Sequence, residues 1–355
     1  MKEKILKALS KVIDPDLKDN LVKLNMIDKL QVDGDRVNFT IVLTTPACPL
    51  KSRFKEECER YIHEDVDPKL KVEIAFDSRV EYAKRQNMDK LVQVKNMIAV
   101  ASGKGGVGKS TIAVNLALAL SGFGAKVGLL DADMNGPSIP VMLGIENEQP
   151  ELKVSDGKNI MIPVEVHGIK VMSLGMLMPM DKPVVWRGPM LSNGLSQMIL
   201  DTNWEDLDYL IVDLPPGTGD IHITLCQQMP LTGALIVTTP QRVSLTDTIK
   251  TVEMFKLDKM DIPILGIVEN MSYFTPKELP DNKYFIFGKG GGELLAKKYK
   301  VPLLASFPLV MGITDNSDSG LPTFLCKDNE IIKKEFLNLA QRMVQNIAIL
   351  NAMRK

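Results

Sequence analysis

Apolar positions in the first eighty residues recur in short, interrupted periods. Ile5, Leu6, Leu9, Val12 and Ile13 share one face of a helix spanning Glu3–Ile13, which Asp14-Pro15-Asp16 ends. Val22–Val32 and Arg36–Leu43 read as strands flanking Asp33-Gly34, a hairpin turn pair. Leu50–Glu64 has helical spacing, and Leu70–Phe76 has the pattern of a strand. These elements predict a small α+β domain over residues 1–80. The charged stretch from about Asp77 to Lys95 has no clear period and reads as a linker, placed at 81–95.

Beyond Lys95 the pattern changes. Continuous apolar runs appear at Met97–Ala101, Val127–Leu130, Ile169–Ser173, Tyr209–Val212, Ala234–Thr238 and Ile264–Val268. Each stops at Gly, Asp, Pro or Ser, and helical stretches separate most of them. Unbroken apolar strands alternating with helices predict an α/β domain, 96–355, whose mostly parallel sheet is covered on both faces. Ligands of such sheets bind beyond the carboxyl ends of the strands, so the polar residues there carry the chemistry. The stretch Ile331–Met353 reads as a last helix docked on the sheet.

Composition narrows the function classes. Lysine plus arginine number 43 and aspartate plus glutamate 44, a balance that gives no support for nucleic-acid binding. Four scattered cysteines, Cys48, Cys58, Cys226 and Cys326, form no disulfide framework and point to a reducing cytoplasm. The N-terminus lacks the apolar run of a signal peptide, and no stretch approaches the about 18 apolar residues that span a bilayer. No membrane partner is expected.

The strongest chemical signal is Gly103-Lys104-Gly105-Gly106-Val107-Gly108-Lys109-Ser110-Thr111. It follows the strand Met97–Ala101 and opens a helical run, Ile112–Leu120, as a phosphate-binding loop requires. Glycines let backbone N–H groups turn inward around phosphates, and the helix N-terminus adds positive potential. Lys109 is expected on the β- and γ-phosphates of ATP, Ser110 on Mg²⁺, and Thr111 on the α-phosphate. Lys104 cannot easily reach the same phosphates from its side of the loop. Spacing leaves it either solvated or reaching a nucleotide in a facing subunit.

Two further strand ends supply carboxylates. Asp131-Ala132-Asp133 follows Val127–Leu130, and Asp213 opens Asp213–Asp220 after Tyr209–Val212. Asp213 is expected to hold Mg²⁺, Asp133 to orient or deprotonate the attacking water, and Asp131 to organise the metal shell. Gly217 and Gly219 suit a switch loop that senses the γ-phosphate. Asp131 and Asp220 also fit simpler roles as turn or cap residues.

GKGGVGKST with Lys104 resembles the deviant Walker A loop of the MinD/ParA/Mrp ATPases. Asp131–Pro140, Asp213–Asp220, Glu269–Phe274 and Ile286–Ala296 resemble the Mrp/ApbC branch of iron–sulfur cluster carriers. The N-terminal unit is similar to the small iron–sulfur assembly domain often fused to it, through Asp14-Pro15-Asp16, Leu24–Ile27 and Thr44–Pro49. The resemblance implies a homodimer with nucleotides at its interface, Lys104 reaching across, Asn270 on the adenine, and apo iron–sulfur proteins as clients. Trp186-Arg187-Gly188-Pro189 is also typical of the branch, with Arg187 either a dimer or switch residue or a surface arginine.

One feature departs from that branch. Its usual Cys-x-x-Cys pair after the Glu269–Phe274 segment is replaced by Thr275–Pro280, which has no cysteine. Cys58 and Cys226 read as packed in helices, and Cys326 as isolated. Cys48, inside the Thr44–Pro49 segment that carries the resemblance, is either a partly buried turn cysteine or, as the resemblance favours, the candidate thiolate for an iron–sulfur cluster, at the predicted start of a helix that would lower its pKa. The sequence thus predicts an ATPase that assembles or delivers clusters. Its rivals are a nucleotide-dependent adaptor without a cluster and a MinD/ParA-type positioning ATPase.

Overall fold

The computed structural model describes residues 1–81, 91, 93–133, 136–155, 157–177, 188–276, 278–279, 281–310, 319–327 and 329–353. Most of the predicted linker (82–90 and 92), together with Trp186 and Arg187, lies outside them. Backbone contacts divide the chain into Met1–Lys84 with Val344–Lys355, and Arg85–Met343. The last turns of the C-terminal helix therefore group with the N-terminal unit and not with the domain to which the sequence pattern assigned them.

In the N-terminal unit, α1 (Lys2–Leu9) leads to a two-residue pairing of β1 (Ile13–Asp14) with β2 (Asp19–Asn20). Then follow β3 (Ile27–Asp33), β4 (Arg36–Leu43), α2 (Lys51–Asp65) and β5 (Lys71–Ser78). The sheet order is β3-β4-β5, antiparallel across the hairpin and parallel across the α2 crossover. Along β4 alternate residues Val37, Phe39, Ile41 and Leu43 are buried, the period of a sheet with one packed face. That face meets Ile5, Leu9, Phe54, Cys58 and Ile62 of the two helices. Two sequence boundaries are corrected here. The first helix stops at Leu9, because Ile13 and Asp14 are drawn into a strand. The first long strand begins at Ile27 and not at Val22, because Val22–Asn25 are turn residues with Asn25 at φ 53°.

The second unit holds β6 (Val94–Ser102), α3 (Lys109–Gly122), β7 (Val127–Asp131) and α4 (Ile139–Leu143). A separate hairpin, β8 (Glu151–Ser155) with β9 (Lys158–Ile162), precedes β10 (Val164–Val166), β11 (Ile169–Ser173), α5 (Leu174–Leu177) and α6 (Gly188–Leu200). The chain continues through β12 (Leu207–Asp213), α7 (Asp220–Gln228), β13 (Gly233–Thr238), α8 (Arg242–Phe255), β14 (Ile264–Glu269), α9 (Gly291–Tyr299) and β15 (Leu303–Ser306). The helix α10 (Glu330–Met353) ends it. The eight-stranded sheet has the order β10-β11-β7-β12-β6-β13-β14-β15, parallel throughout except for β10. All six strands expected from the apolar runs are present. The two edge strands and the hairpin were not foreseen, being short and weakly patterned. Strand β13 is buried at every residue, as a sheet covered on both faces requires. The start of α10 docks beside the last strand, where Phe336 packs on Phe307 with ring centroids 4.3 Å apart and Arg342 donates to the Leu304 carbonyl.

Candidate functional site

Strands β7, β12 and β6 lie side by side, with Asp213 in register with Asp131 on one side and Val100 on the other. Their carboxyl ends bring three separate sequence motifs to one place. The chain leaves β6 at Ser102, turns through the glycines and enters α3 at Lys109. Gly108 adopts φ +81°, and a Cβ there would collide with the Asn270 amide. A glycine is thus required by both backbone angle and space. The Asn270 Nδ2 donates to the Val107 carbonyl at 2.9 Å, tying the end of β14 to the loop.

Lys109 is buried. Its Nζ lies 2.7 Å from Asp213 Oδ1 and 3.3 Å from Asp133 Oδ2. Ser110 Oγ donates to Asp213 Oδ2 at 2.6 Å. Asp131 stands one layer behind, accepting from Ser173 Oγ at 2.9 Å and from the Asp133 backbone N–H at 3.2 Å. These bonds tie Asp131 to β11 and to the backbone of Asp133. Burial raises the Asp213 carboxyl above the ordinary carboxylate range, with Lys109 opposing. Burial, reinforced by Asp213, pushes Asp131 up to about 8. Two carboxyl groups on one lysine, with a hydroxyl beside them, make an oxygen-rich site. That donor set fits a hard divalent cation such as Mg²⁺, with Ser110 and Asp213 as the residues that would hold it.

Two cavities meet at the loop. One of about 200 Å³ is lined by Lys104, Gly106, Lys109, Ser110, Asp133 and Pro216. The other, of about 380 Å³, is mainly apolar, with Asn270, Met271, Phe287 and Phe307 in its wall. Gly108 and Thr111 belong to both. A cavity with charged side chains at a helix N-terminus, next to a mainly apolar one, has the two-part form of a nucleotide site. Lys104 is exposed. Above the phosphate loop, Leu214 N–H donates to Val100 O and Gly217 N–H to Ser102 O, so both ends of this switch-like turn are pinned to β6. Gly217 has φ +93°. The Asp220 side chain lies outside the described residues.

Two positioning residues escaped the sequence reading. Asn115 is buried inside α3, where its Nδ2 donates to Thr111 O and its Oδ1 accepts from Phe324 N–H, both at 2.7 Å. Glu269, at the end of β14, accepts from Gly292 N–H at 2.6 Å and so caps the start of α9. A polar residue inside the apolar run Ile112–Leu120 was the available signal for Asn115.

The expectation for Cys48 is corrected. Helix α2 begins three residues later, at Lys51, and the N–H of its cap residue Leu50 lowers the thiol's pKa by less than burial raises it. Burial pushes the thiol up to about 11, and the neighbouring Asp14 and Asp16 push in the same direction. Asp16 also accepts from Gln345 at 2.7 Å. Burial pushes the Cys58 and Cys226 thiols up to about 12. Cys326 is buried and donates to the Pro322 carbonyl at 3.5 Å. Among the described residues no group of three or more His, Cys, Asp or Glu side chains is placed to hold a metal ion.

Residues 93–344 match the profile of the NUBPL iron-transfer P-loop NTPase family. The chain belongs to that family. Residues 2–75 of this P-loop NTPase match the profile of iron–sulfur cluster assembly proteins. An iron–sulfur cluster carrier protein of Synechocystis sp. is 45% identical over 346 residues, covering 97% of each chain. Its Escherichia coli (strain K12) namesake is 43% identical, covering 94% of this chain and 89% of its own. A solved nucleotide-binding protein of Archaeoglobus fulgidus in complex with ADP is 38% identical, covers 65% of this chain and 89% of its own, and superposes with a TM-score of 0.57. The cell division ATPase MinD of Pyrococcus furiosus is 24% identical over 70% of this chain and 98% of its own, at a TM-score of 0.51, which establishes a shared fold. No helix among the described residues is long and apolar enough to cross a membrane.

Proposed function

We propose that this P-loop NTPase is a cytoplasmic, ATP-hydrolysing iron–sulfur cluster carrier that works as a nucleotide-dependent homodimer and delivers clusters to apoproteins. The observation that carries the nucleotide half is the grouping of Lys109, Ser110 and Asp133 around one cavity, with Asp213 buried beneath them on Lys109 and Ser110, next to a second, mainly apolar cavity. In this reading Lys109 exchanges its carboxylate partners for the β- and γ-phosphates of ATP. The loop N–H groups from Gly105 to Thr111 hold the remaining phosphate oxygens. Asp213 and Ser110 would hold Mg²⁺, whose role when bound is to neutralise charge on the phosphates. Asp133, released from Lys109, orients or deprotonates the attacking water. Lys104, exposed beside the cavity, is available to a nucleotide in the facing subunit. Loss of the γ-phosphate relaxes the turn around Gly217 and with it the hold on client or cargo.

The names of the relatives and the two family profiles support the carrier half. Cys48 is its thiol candidate, with further ligands supplied by a second subunit or a client. A specific observation favours a second reading, an ATP-driven adaptor without its own cluster. Three of the four cysteines are buried, and the fourth is held in its protonated form. Anaerobic reconstitution with iron and sulfide decides between them, comparing the parent chain and Cys48→Ala by metal analysis and visible absorption. A cluster lost in the variant supports the carrier. No cluster in either chain, with ATP turnover intact, leaves the adaptor.

A further inference from the structure

The larger cavity contains a polar group that nothing so far has used. Thr323 lines it, is 1% exposed, and its hydroxyl has no hydrogen-bond partner among the described residues. A buried hydroxyl without a partner is uncommon and calls for a reason. Its placement is tightly specified. The next residue, Phe324, gives its N–H to Asn115, and Asn115 in turn donates to Thr111 of the phosphate loop. One buried amide therefore sets the distance from the first turn of α3 to Thr323. In the wall of the same cavity, Asn270 spends its Nδ2 on the Val107 carbonyl. That bond fixes the orientation of the amide, because only the NH₂ group can face a carbonyl, and it leaves Oδ1 as the acceptor.

An apolar slot with a fixed acceptor and a rotatable hydroxyl is suited to one kind of planar ring. Adenine offers an amino donor beside ring-nitrogen acceptors, whereas guanine places a carbonyl oxygen where the amino group would be. Facing the Asn270 Oδ1, that oxygen would set one acceptor against another. We infer that Thr323 is a specificity-determining residue of the nucleotide site. Rotation about its χ1 turns the hydroxyl into the cavity, where it donates to a ring nitrogen of adenine while Asn270 accepts from the amino group. The inference rests on the nucleotide-binding reading above and adds to it the means by which adenine is preferred to guanine.

The test uses the full chain and calorimetric titration with ADP, GDP and inorganic triphosphate, the last having no base. Thr323→Val keeps the shape and removes the hydroxyl; Thr323→Ser keeps the hydroxyl. A neutral hydrogen bond contributes roughly a two- to tenfold change in affinity. Thr323→Val is expected to weaken ADP by about fivefold, with the loss confined to the base-bearing ligand, and Thr323→Ser to restore most of it. The ratio of ADP to GDP affinity should fall in the valine variant and recover in the serine variant. Equal ADP affinity and an unchanged ratio in all three chains would overturn the inference while leaving the nucleotide site intact. A parent chain that binds triphosphate but neither nucleotide more tightly would overturn the base cavity altogether. A parent that binds none of the three would remove the nucleotide-binding reading itself, and this inference with it.

Discussion

The two units bury their strands in different ways. Strand β4 of the N-terminal unit alternates buried and half-buried residues, and its sheet packs on one face only. Strand β13 of the P-loop unit is buried at all six positions. A one-faced sheet leaves its functional groups in the loops around a small core, where Cys48 sits between Pro46 and the start of α2. A two-faced sheet has only its strand ends open, so chemistry collects there. This is why Lys109, Asp133 and Asp213 come from distant segments yet lie within 2.7–3.3 Å of one another through the lysine. One architecture concentrates charge in a buried, acidic cluster; the other isolates a thiol.

The contrast can be broken most severely at Lys109. Lys109→Ala should abolish ATP turnover, by roughly a thousandfold or more, because the phosphates lose their principal cation. The circular dichroism and melting of the N-terminal unit should not change. A steady-state rate near that of the parent would remove the site assignment. On the other side, Phe54→Ala empties the small core at a fully buried position and should cost about 3–5 kcal/mol in that unit. Urea unfolding followed by probes in each unit should register the loss in one transition, with ATP binding retained. If both transitions shift equally, the units are not independent in stability.

A third test separates them by pH. His222 in α7 is buried, and burial with the nearby Lys109 charge lowers its pKa to about 4. The unfolded chain takes up this proton near 6.5, before the folded one does. The stability it confers is therefore complete above about pH 6.5 and is lost as pH falls toward 4, by about 3 kcal/mol. His222→Gln should flatten that slope for the P-loop unit alone. A fourth test sharpens the other half of the comparison. With its thiol at about 11, Cys48 should alkylate at pH 8 about a hundredfold more slowly than an unhindered cysteine, and its rate should keep rising through pH 10. Fast, pH-independent alkylation near neutrality would restore the low-pKa thiolate that the sequence suggested.

The same contrast explains what was legible in the chain. Strands buried on both faces announce themselves as unbroken apolar runs, so the meeting of Lys109, Ser110, Asp133 and Asp213 at the strand ends could be expected from the chain. Asn115 and Glu269 could not. Their roles depend on Phe324 and Gly292, which no local period connects to them. Cys48 was misread for a related reason. Its burial, joined by the charges of Asp14 and Asp16 more than thirty positions away, outweighs the Leu50 N–H at the helix start. Local pattern identifies elements and strand ends well; it does not give the neighbours that decide a group's electrostatics.

The edges of the large sheet carry a consequence for handling the protein. A parallel sheet assembles slowly, because its strands are joined only through long crossovers, and partly folded chains expose pairing edges in the meantime. Here the outermost strands are among the shortest, three residues in β10 and four in β15, and β10 runs against the others with Glu165 at its centre. Few backbone groups are left to template another chain, and a charge stands among them. Once folded, the sheet should resist edge-to-edge aggregation at high concentration, which makes the refolding step, and not storage, the stage at which material is lost.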